Sequence, residues 1–395
     1  MPKFLKQAGC FIYLFLMVLG VTGCEKSSDI QLTEKHEYQK RFGNGNYFFN
    51  VMCQNDTGYY TLLNGYLFYL ENNEALESIV VCGKIECDHS TSSCNGYIGA
   101  ECDILSYNDK IYYTVSSPNS VDVYQIDFDG TNRKKYHTIP NKDNLMTVRY
   151  LLHRGHFFYI SEGIFVDNTS APVVKKISES VLDNNPMGEY ALWADGSYVY
   201  IESYNEDYCQ ILYRYSIDSQ EFTEIWKTPS PSEVGEWATA GIGVNGWYIN
   251  NDVIYFFLSG NGVWKTDLLS GKTECVFKTD VANMMGYASF DDTKIYIDTG
   301  NMVLGDPIRE NHTIHVFDYT GSILDSYVYG HLYSDGINSI MITGTDETKV
   351  FLAALFSETI TQYGENVEIT SNEEGIFCID MKNKYIQKVL RYSDK

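Results

Sequence analysis

One short pattern recurs along this chain and constrains its fold more than any other feature. A polar or turn residue is followed by Gly, Asp or Thr, then by one free position and three residues that favour strands. The copies are spaced roughly 40 to 55 residues apart, which is a period typical of repeat architectures. The seven copies begin at Asn64, Asn108, Arg154, Asp195, Asn251, Asp292 and Glu347.

The segments between the copies also have the character of β-strands. After most copies a second strand-like segment leads into a tight turn, as Val123–Asp127 leads into Asp129-Gly130. Apolar residues alternate with period two, and long stretches with the period of a helix are lacking, so helix should be scarce. The repeat therefore predicts an all-β fold, a seven-bladed β-propeller of four-stranded antiparallel blades in one domain over 46–395. We expect residues 46–53 to supply a strand that closes the ring against the C-terminal blade.

The hairpin Ile126-Asp127-Phe128-Asp129-Gly130-Thr131-Asn132-Arg133-Lys134-Lys135 carries a resemblance to a known group of repeats. It resembles the TolB-type propellers of secreted bacterial proteins, and residues 46–393 are similar to uncharacterised propeller lipoproteins of Gram-positive anaerobes. The resemblance implies architecture and does not imply a reaction. The segment also resembles a calcium loop, but an EF-hand needs Gly at its sixth position, and Gly130 is fourth, which favours a hairpin turn.

The N-terminal residues have the order of an export signal. Lys3 and Lys6 precede an apolar run over 11–19, and Val21-Thr22-Gly23-Cys24 resembles the lipobox of bacterial lipoproteins. The apolar run is shorter than the roughly 20 residues that a spanning helix needs. The resemblance implies that signal peptide 1–23 is removed and that Cys24 carries acyl chains such as palmitate. We therefore expect a lipid anchor at the extracytoplasmic face of a bacterial cell membrane, followed by a polar tether over 24–45.

Charge and composition restrict the partners of such a chain. The sequence has 29 basic and 52 acidic residues, for a net charge of −23. A field of that sign repels phosphate backbones, so we expect no nucleic-acid partner. The 33 tyrosines suit strands, and those that are exposed suit surfaces that bind proteins or sugars.

A dense group of reactive residues lies in an insertion at about 82–102, between the first and second copies of the repeat. Cys82, Cys87, His89 and Cys94 supply three thiols and an imidazole, a donor set suited to zinc, although their spacing is not one of the common zinc-finger spacings. Disulfides that also involve Cys102 are the alternative in an oxidising compartment, and free thiols are a third. The sequence leaves these three states open. A separate prediction is that four isolated cysteines are buried apolar residues: Cys53, Cys209, Cys275 and Cys378.

The sequence contains no evident catalytic set and no cofactor-binding motif. It favours a membrane-anchored binding or scaffold module that presents a propeller face to a protein or glycan ligand. Two alternatives remain open, because propellers host many functions. One is a glycan hydrolase or lyase that uses carboxylates at the channel mouth, and the other is a metal or redox sensor centred on the cysteine cluster.

Overall fold

The structure, a computed structural model of the 395-residue chain, describes most of the repeat region. All described residues belong to one compact unit, Tyr38–Lys395. The signal peptide, Cys24 and the tether lie outside the described residues. The described ranges are 52–90, 92–99, 103–140, 149–160, 164–168, 171–178, 191–204, 210–228, 244–250, 252–258, 261–278, 287–298, 312–335, 337–356, 360–362, 365–367 and 373–391.

The described residues form seven four-stranded antiparallel sheets, numbered I to VII along the chain. Sheets I to III contain β1 (Met52–Gln54), β2 (Gly58–Leu63), β3 (Tyr66–Glu71), β4 (Ser78–Val80); β5 (Ile104–Tyr107), β6 (Lys110–Ser117), β7 (Ser120–Asp127), β8 (Lys134–Pro140); and β9 (Tyr150–His153), β10 (His156–Ile160), β11 (Ile164–Asn168), β12 (Ala171–Ser178). Sheets IV and V contain β13 (Ala191–Asp195), β14 (Tyr198–Tyr204), β15 (Gln210–Ser216), β16 (Phe222–Lys227); and β17 (Val244–Asn250), β18 (Val253–Leu258), β19 (Gly262–Asp267), β20 (Thr273–Phe277).

Sheets VI and VII complete the series. They contain β21 (Tyr287–Phe290), β22 (Lys294–Asp298), β23 (Thr313–Asp318), β24 (Ile323–Val328); and β25 (Ile337–Thr345), β26 (Lys349–Phe356), β29 (Glu373–Asp380), β30 (Tyr385–Arg391). A two-stranded hairpin, β27 (Ile360–Gln362) and β28 (Glu365–Val367), is inserted in sheet VII. Helix in the described residues is a 3-10 turn, Gly330–Asp335. No helix within those residues has the length and apolar character needed to cross a membrane.

The core lies between the sheets, as in a propeller. Seven clusters of buried side chains each join two consecutive sheets. One of them joins sheet VII to sheet I, where the rings of Tyr59 and Phe351 lie 4.6 Å apart. Burial of one such side chain contributes about 1.5 to 3 kcal/mol, so each interface is strongly stabilised. The prediction of an all-β propeller with four-stranded antiparallel blades is confirmed.

Burial falls from the inner to the outer strands. Every residue of β2 is buried, whereas β24 in sheet VI exposes four of its six side chains. This gradient explains the sequence pattern, because the inner strands are apolar on both faces and the outer strands carry charges. Among the isolated cysteines, Cys53 and Cys378 are buried and Cys275 is half-buried, while Cys209 lies outside the described residues.

The structure corrects two details of the repeat. Strand β1 pairs with β2 of its own sheet and not with the C-terminal sheet, so the predicted closing strand is wrong for its described part, Met52–Gln54. Sheets VII and I instead meet through packed side chains. The first copy of the repeat is also out of phase, because the turn at Asn64 precedes the third strand of its sheet and the other six copies precede the second. The equivalent turn in sheet I begins at Asn55, whose side chain accepts hydrogen bonds from the backbone of Thr57 and Gly58.

Candidate metal centre

The predicted cysteine insertion connects β4 of sheet I to β5 of sheet II. Its described part, residues 82–90 and 92–99, is called the cysteine loop below. Both ends of the loop are fixed on β3: the backbone N–H of Val81 donates to Leu67, and Leu67 in turn donates to Gly96. A further backbone bond of 2.7 Å runs from Ile98 to Gly65. These bonds hold the two ends of the loop next to each other, so its two arms lie side by side.

The fold brings the four predicted ligands together. One ligand atom from each of Cys82, Cys87, His89 and Cys94 lies within 4.8 Å of all the others. The Nδ1 atom of His89 is 3.3 Å from the Sγ atom of Cys94. Cys94 is 1% exposed, and the other three are half-buried. The cluster thus lies at the surface of the loop with one ligand at its base.

Backbone turns around Cys87 produce this convergence. Glu86 and His89 adopt left-handed conformations, with φ of 61° and 55°. Such values are uncommon for residues other than glycine, and they reverse the chain within a few residues. These turns fold Cys87 and His89 back toward Cys82 and Cys94, the first and last of the four ligands along the chain.

The donor set fits a tetrahedral metal ion. Zn–S bonds of about 2.3 Å and Zn–N bonds of about 2.0 Å place two sulfur atoms about 3.8 Å apart, and a nitrogen and a sulfur atom about 3.5 Å apart, in a tetrahedron. The 3.3 Å separation between His89 and Cys94 is close to the nitrogen–sulfur value, and a pair of sulfur atoms at the 4.8 Å limit needs a contraction of about 1 Å. Three thiolates and an imidazole complete four-coordination without an open position. The group can therefore hold a metal ion in a closed site.

The surroundings of the sulfur atoms favour thiolate at one of them. Desolvation raises the pKa of the Cys82 thiol, but hydrogen bonds from the backbone N–H groups of Lys84 and Asn95 and from the neighbouring thiols outweigh it and lower the pKa to about 7. Desolvation raises the pKa of Cys94 to about 11, and the two other thiols act in the same direction. Backbone N–H donors to a ligand sulfur are the kind of outer contact that orients metal ligands.

The cysteine loop also contacts the β7–β8 hairpin of sheet II. The carbonyl oxygen of Gly130 accepts hydrogen bonds from the backbone of Gly83 at 3.2 Å and from the side chain of Asn95 at 2.8 Å. Arg133 donates from Nη1 to the carbonyl oxygen of Tyr97 at 2.8 Å. The loop that carries the four ligands is thus fixed to two sheets.

Gly130 is required by this contact. Its φ of +80° is left-handed, and a Cβ atom at this position would lie 2.6 Å from the backbone nitrogen of Cys82. That distance is shorter than any normal contact with a backbone atom. Only glycine satisfies both conditions here.

The structure locates the predicted site residues as follows. It brings together Cys82, Cys87, His89 and Cys94, and no disulfide joins the three cysteines of this group. Cys102 and Cys24 lie outside the described residues. Arg133, which lies far along the chain in the next sheet, was not predicted from the sequence as part of the site. A basic residue three positions after the Asp129-Gly130 turn of so acidic a chain was the available signal.

Known proteins resemble this chain in fold and not in sequence. No protein-family model matches the chain, and no curated protein sequence matches it. Among solved structures, the chain is similar to a prolyl endopeptidase, with 10% identity and a TM-score of 0.49 over 86% of this chain and 48% of that one. It is also similar to the WD40 domain of SCAP from fission yeast, with 9% identity and a TM-score of 0.46 over 89% and 86% of the two chains. The corresponding values for BamB from Moraxella catarrhalis are 8%, 0.39, 86% and 94%.

The chain spans about half the length of that endopeptidase chain. Identities of this size concern the fold alone. The propeller assignment rests on the seven sheets and on the clusters packed between them.

Proposed function

We propose that this protein is a membrane-anchored, extracytoplasmic binding module built on a closed seven-bladed ring, in which a zinc ion at Cys82, Cys87, His89 and Cys94 fixes the loop between the first two blades. The observation that carries the proposal is the convergence of these four ligand atoms within 4.8 Å. The site is closed, and a closed site with only protein ligands has a structural role. The ligand-binding role is assigned to the faces of the ring.

Zinc is the metal that suits these donors. Thiolates and imidazole select soft or borderline ions, and a tetrahedral arrangement of sulfur and nitrogen is typical of zinc. Calcium and magnesium take oxygen ligands instead. The side chain of Ile85, between the first two cysteines of the loop, is 92% exposed, so a metal ion would supply order there that packing does not.

X-ray absorption at the zinc edge tests the coordination. We expect three sulfur neighbours at about 2.3 Å and one nitrogen neighbour at about 2.0 Å. The spectrum should remain unchanged when candidate ligands are added, because the site has no open position. A spectrum dominated by oxygen neighbours would contradict the structural role.

The membrane anchor is the second part of the proposal. Its support is the sequence Val21-Thr22-Gly23-Cys24 behind a basic and apolar segment. Two or more acyl chains anchor a protein stably, since each buried CH₂ contributes about 0.8 kcal/mol. Cell fractionation with labelled palmitate tests it: Cys24→Ala should lose both the label and the membrane association, while the control Cys10→Ala should keep both. Retention of the label by Cys24→Ala would refute the anchor.

The binding role follows from the architecture and from the lack of any catalytic set in the sequence. A propeller presents loops around a central channel, and the abundant tyrosines suit protein or glycan ligands. The purified full-length protein in detergent should retain envelope proteins or glycans without converting them. Turnover of a polysaccharide would overturn this role in favour of an enzyme, and failure to bind any envelope fraction would remove its basis.

A further inference from the structure

Sheet II carries a cavity that is separate from the metal ligands. Its volume is about 380 Å³, within the range of sites that hold small organic molecules. The cavity lies at the end of the sheet beside the β7–β8 hairpin. It is lined by Lys110, Gln125, Asp127, Asn132, Arg133 and Lys134.

The charge of this lining is opposite to that of the whole protein. Three of the lining residues are cations and one is a carboxylate, in a chain of net charge −23. The carboxylate of Asp127 is 2.5 Å from the ammonium of Lys110 and also accepts a hydrogen bond of 2.7 Å from Asn132. Lys110 is therefore neutralised within the cavity. Lys134 is also attracted to Asp127 electrostatically, but neither Arg133 nor Lys134 forms a direct ion pair with a carboxylate of the described residues.

The side chain of Arg133 is held at the edge of the cavity by contacts with the protein. Its Nη1 atom donates to the carbonyl oxygen of Tyr97, and its guanidinium lies 5.5 Å from the centre of the Tyr113 ring. These contacts hold the group in place. Lys134 is exposed, and its ammonium donates no hydrogen bond to any described residue, so it is available to an incoming anion.

Gln125 is a second polar group that faces the cavity. Its side chain is only 6% exposed, it lines the cavity, and its amide forms no hydrogen bond with the described residues. The amide faces the cavity without a protein partner, so a ligand or water in the cavity can supply its hydrogen bonds. In the register of the sheet, Gln125 lies opposite Lys134 on β8 and opposite Tyr112 on β6. An amide donor and an exposed ammonium thus lie side by side.

We propose that this cavity binds a small hydroxylated carboxylate, of the size of a single sugar acid. The ligand carboxylate accepts hydrogen bonds from the Lys134 ammonium and the Gln125 amide. The remaining lone pairs of Asp127 accept hydrogen bonds from ligand hydroxyls, since an ionised carboxylate has about four acceptor positions. A volume of 380 Å³ suits an organic molecule and exceeds the need of a single inorganic ion.

Calorimetric titration of the full-length protein in detergent tests the site, with D-glucuronate as the probe at low salt. D-glucose tests the need for the carboxylate, and inorganic phosphate tests the alternative anion. We expect D-glucuronate to bind and D-glucose not to bind, with phosphate at least tenfold weaker than glucuronate. Equal binding of glucose, or tighter binding of phosphate, would overturn the assignment to a carboxylate.

Two neighbouring lysines provide the matched variants. Lys134→Gln removes the exposed ammonium and should weaken glucuronate binding by about tenfold or more, as expected for a hydrogen bond to a charged group. Lys135→Gln removes the same charge on the other face of β8, where Lys135 pairs with Asp122 at 2.7 Å, and should leave binding unchanged. Gln125→Leu should weaken binding without lowering the melting temperature. Equal affinities for the Lys134 and Lys135 variants would place the anion elsewhere.

Discussion

The hydroxyl of Tyr59 in sheet I donates a hydrogen bond to the carboxylate of Asp346 in sheet VII, 287 residues further along the chain. The other oxygen of Asp346 accepts backbone hydrogen bonds from Thr348 at 2.7 Å and from Lys349 at 2.8 Å. One aspartate therefore orders the turn before β26 and joins the last sheet to the first. The ammonium of Lys349 adds a bond of 2.7 Å to Asn72 of sheet I.

Removal of the Tyr59 hydroxyl tests this junction. We expect Tyr59→Phe to lower the free energy of unfolding by about 1.5 kcal/mol, because a hydrogen bond to a charged group is lost in a buried place. The control Tyr213→Phe removes a hydroxyl that has no hydrogen-bond partner among the described residues, and should change stability by less than about 0.5 kcal/mol. Chemical denaturation of both variants measures the difference. Equal effects would mean that the contact with Asp346 contributes nothing to closure.

Gly130 tests the contact between the cysteine loop and sheet II. Gly130→Ala should lower the free energy of unfolding by about 1 kcal/mol for the left-handed backbone and by at least about 1 kcal/mol more for the clash with Cys82. Gly271→Ala is the matched control, since Gly271 has φ of +68° in the equivalent hairpin of sheet V and nothing lies within 4 Å of its added Cβ. Only the backbone penalty is expected there. If thermal unfolding shows the same loss for both variants, the loop does not pack on Gly130 as described.

Asn95 connects the same contact to metal affinity. Its side chain donates to Gly130, and docking of the loop and binding of zinc should stabilise each other. Asn95→Ala is expected to raise the zinc dissociation constant about fivefold, which corresponds to one hydrogen bond of about 1 kcal/mol. Asn383→Ala is the control, because Asn383 donates a bond of 3.0 Å to Asp380 in a hairpin of sheet VII, outside the cysteine loop. Competition with a fluorescent chelator measures both constants, and an unchanged value for Asn95→Ala would contradict the linkage.

The period-two repeat was sufficient to predict the fold class. Alternating apolar residues and hairpin turns are local signals, and the sheets follow from them. The phase error at the first copy has a local cause as well. Asn64-Gly65 and Asn55-Asp56-Thr57-Gly58 are both turn sequences before strands, and no local signal says which of the two turns precedes the second strand of the sheet.

The candidate site was predictable in its residue types and not in its geometry. Three cysteines and a histidine within 13 residues indicated a metal centre or disulfides, but convergence depends on left-handed turns at Glu86 and His89. Neither residue type requires that conformation. The contacts of the loop with Gly130 and Arg133 arise only when sheet II stacks on sheet I, so they depend on tertiary structure. The same holds for the cavity at Gln125, where register places an amide beside Lys134.

Metal content of the intact protein tests the central claim most directly. Native mass spectrometry of anaerobically purified protein should show one zinc ion per chain for the wild type and for the control Cys275→Ser, whose half-buried cysteine lies outside the cluster. Cys87→Ser removes one of the four ligands and should carry no zinc. Wild-type protein without metal and with its clustered cysteines oxidised to disulfides, or Cys87→Ser with its zinc retained, would contradict the account.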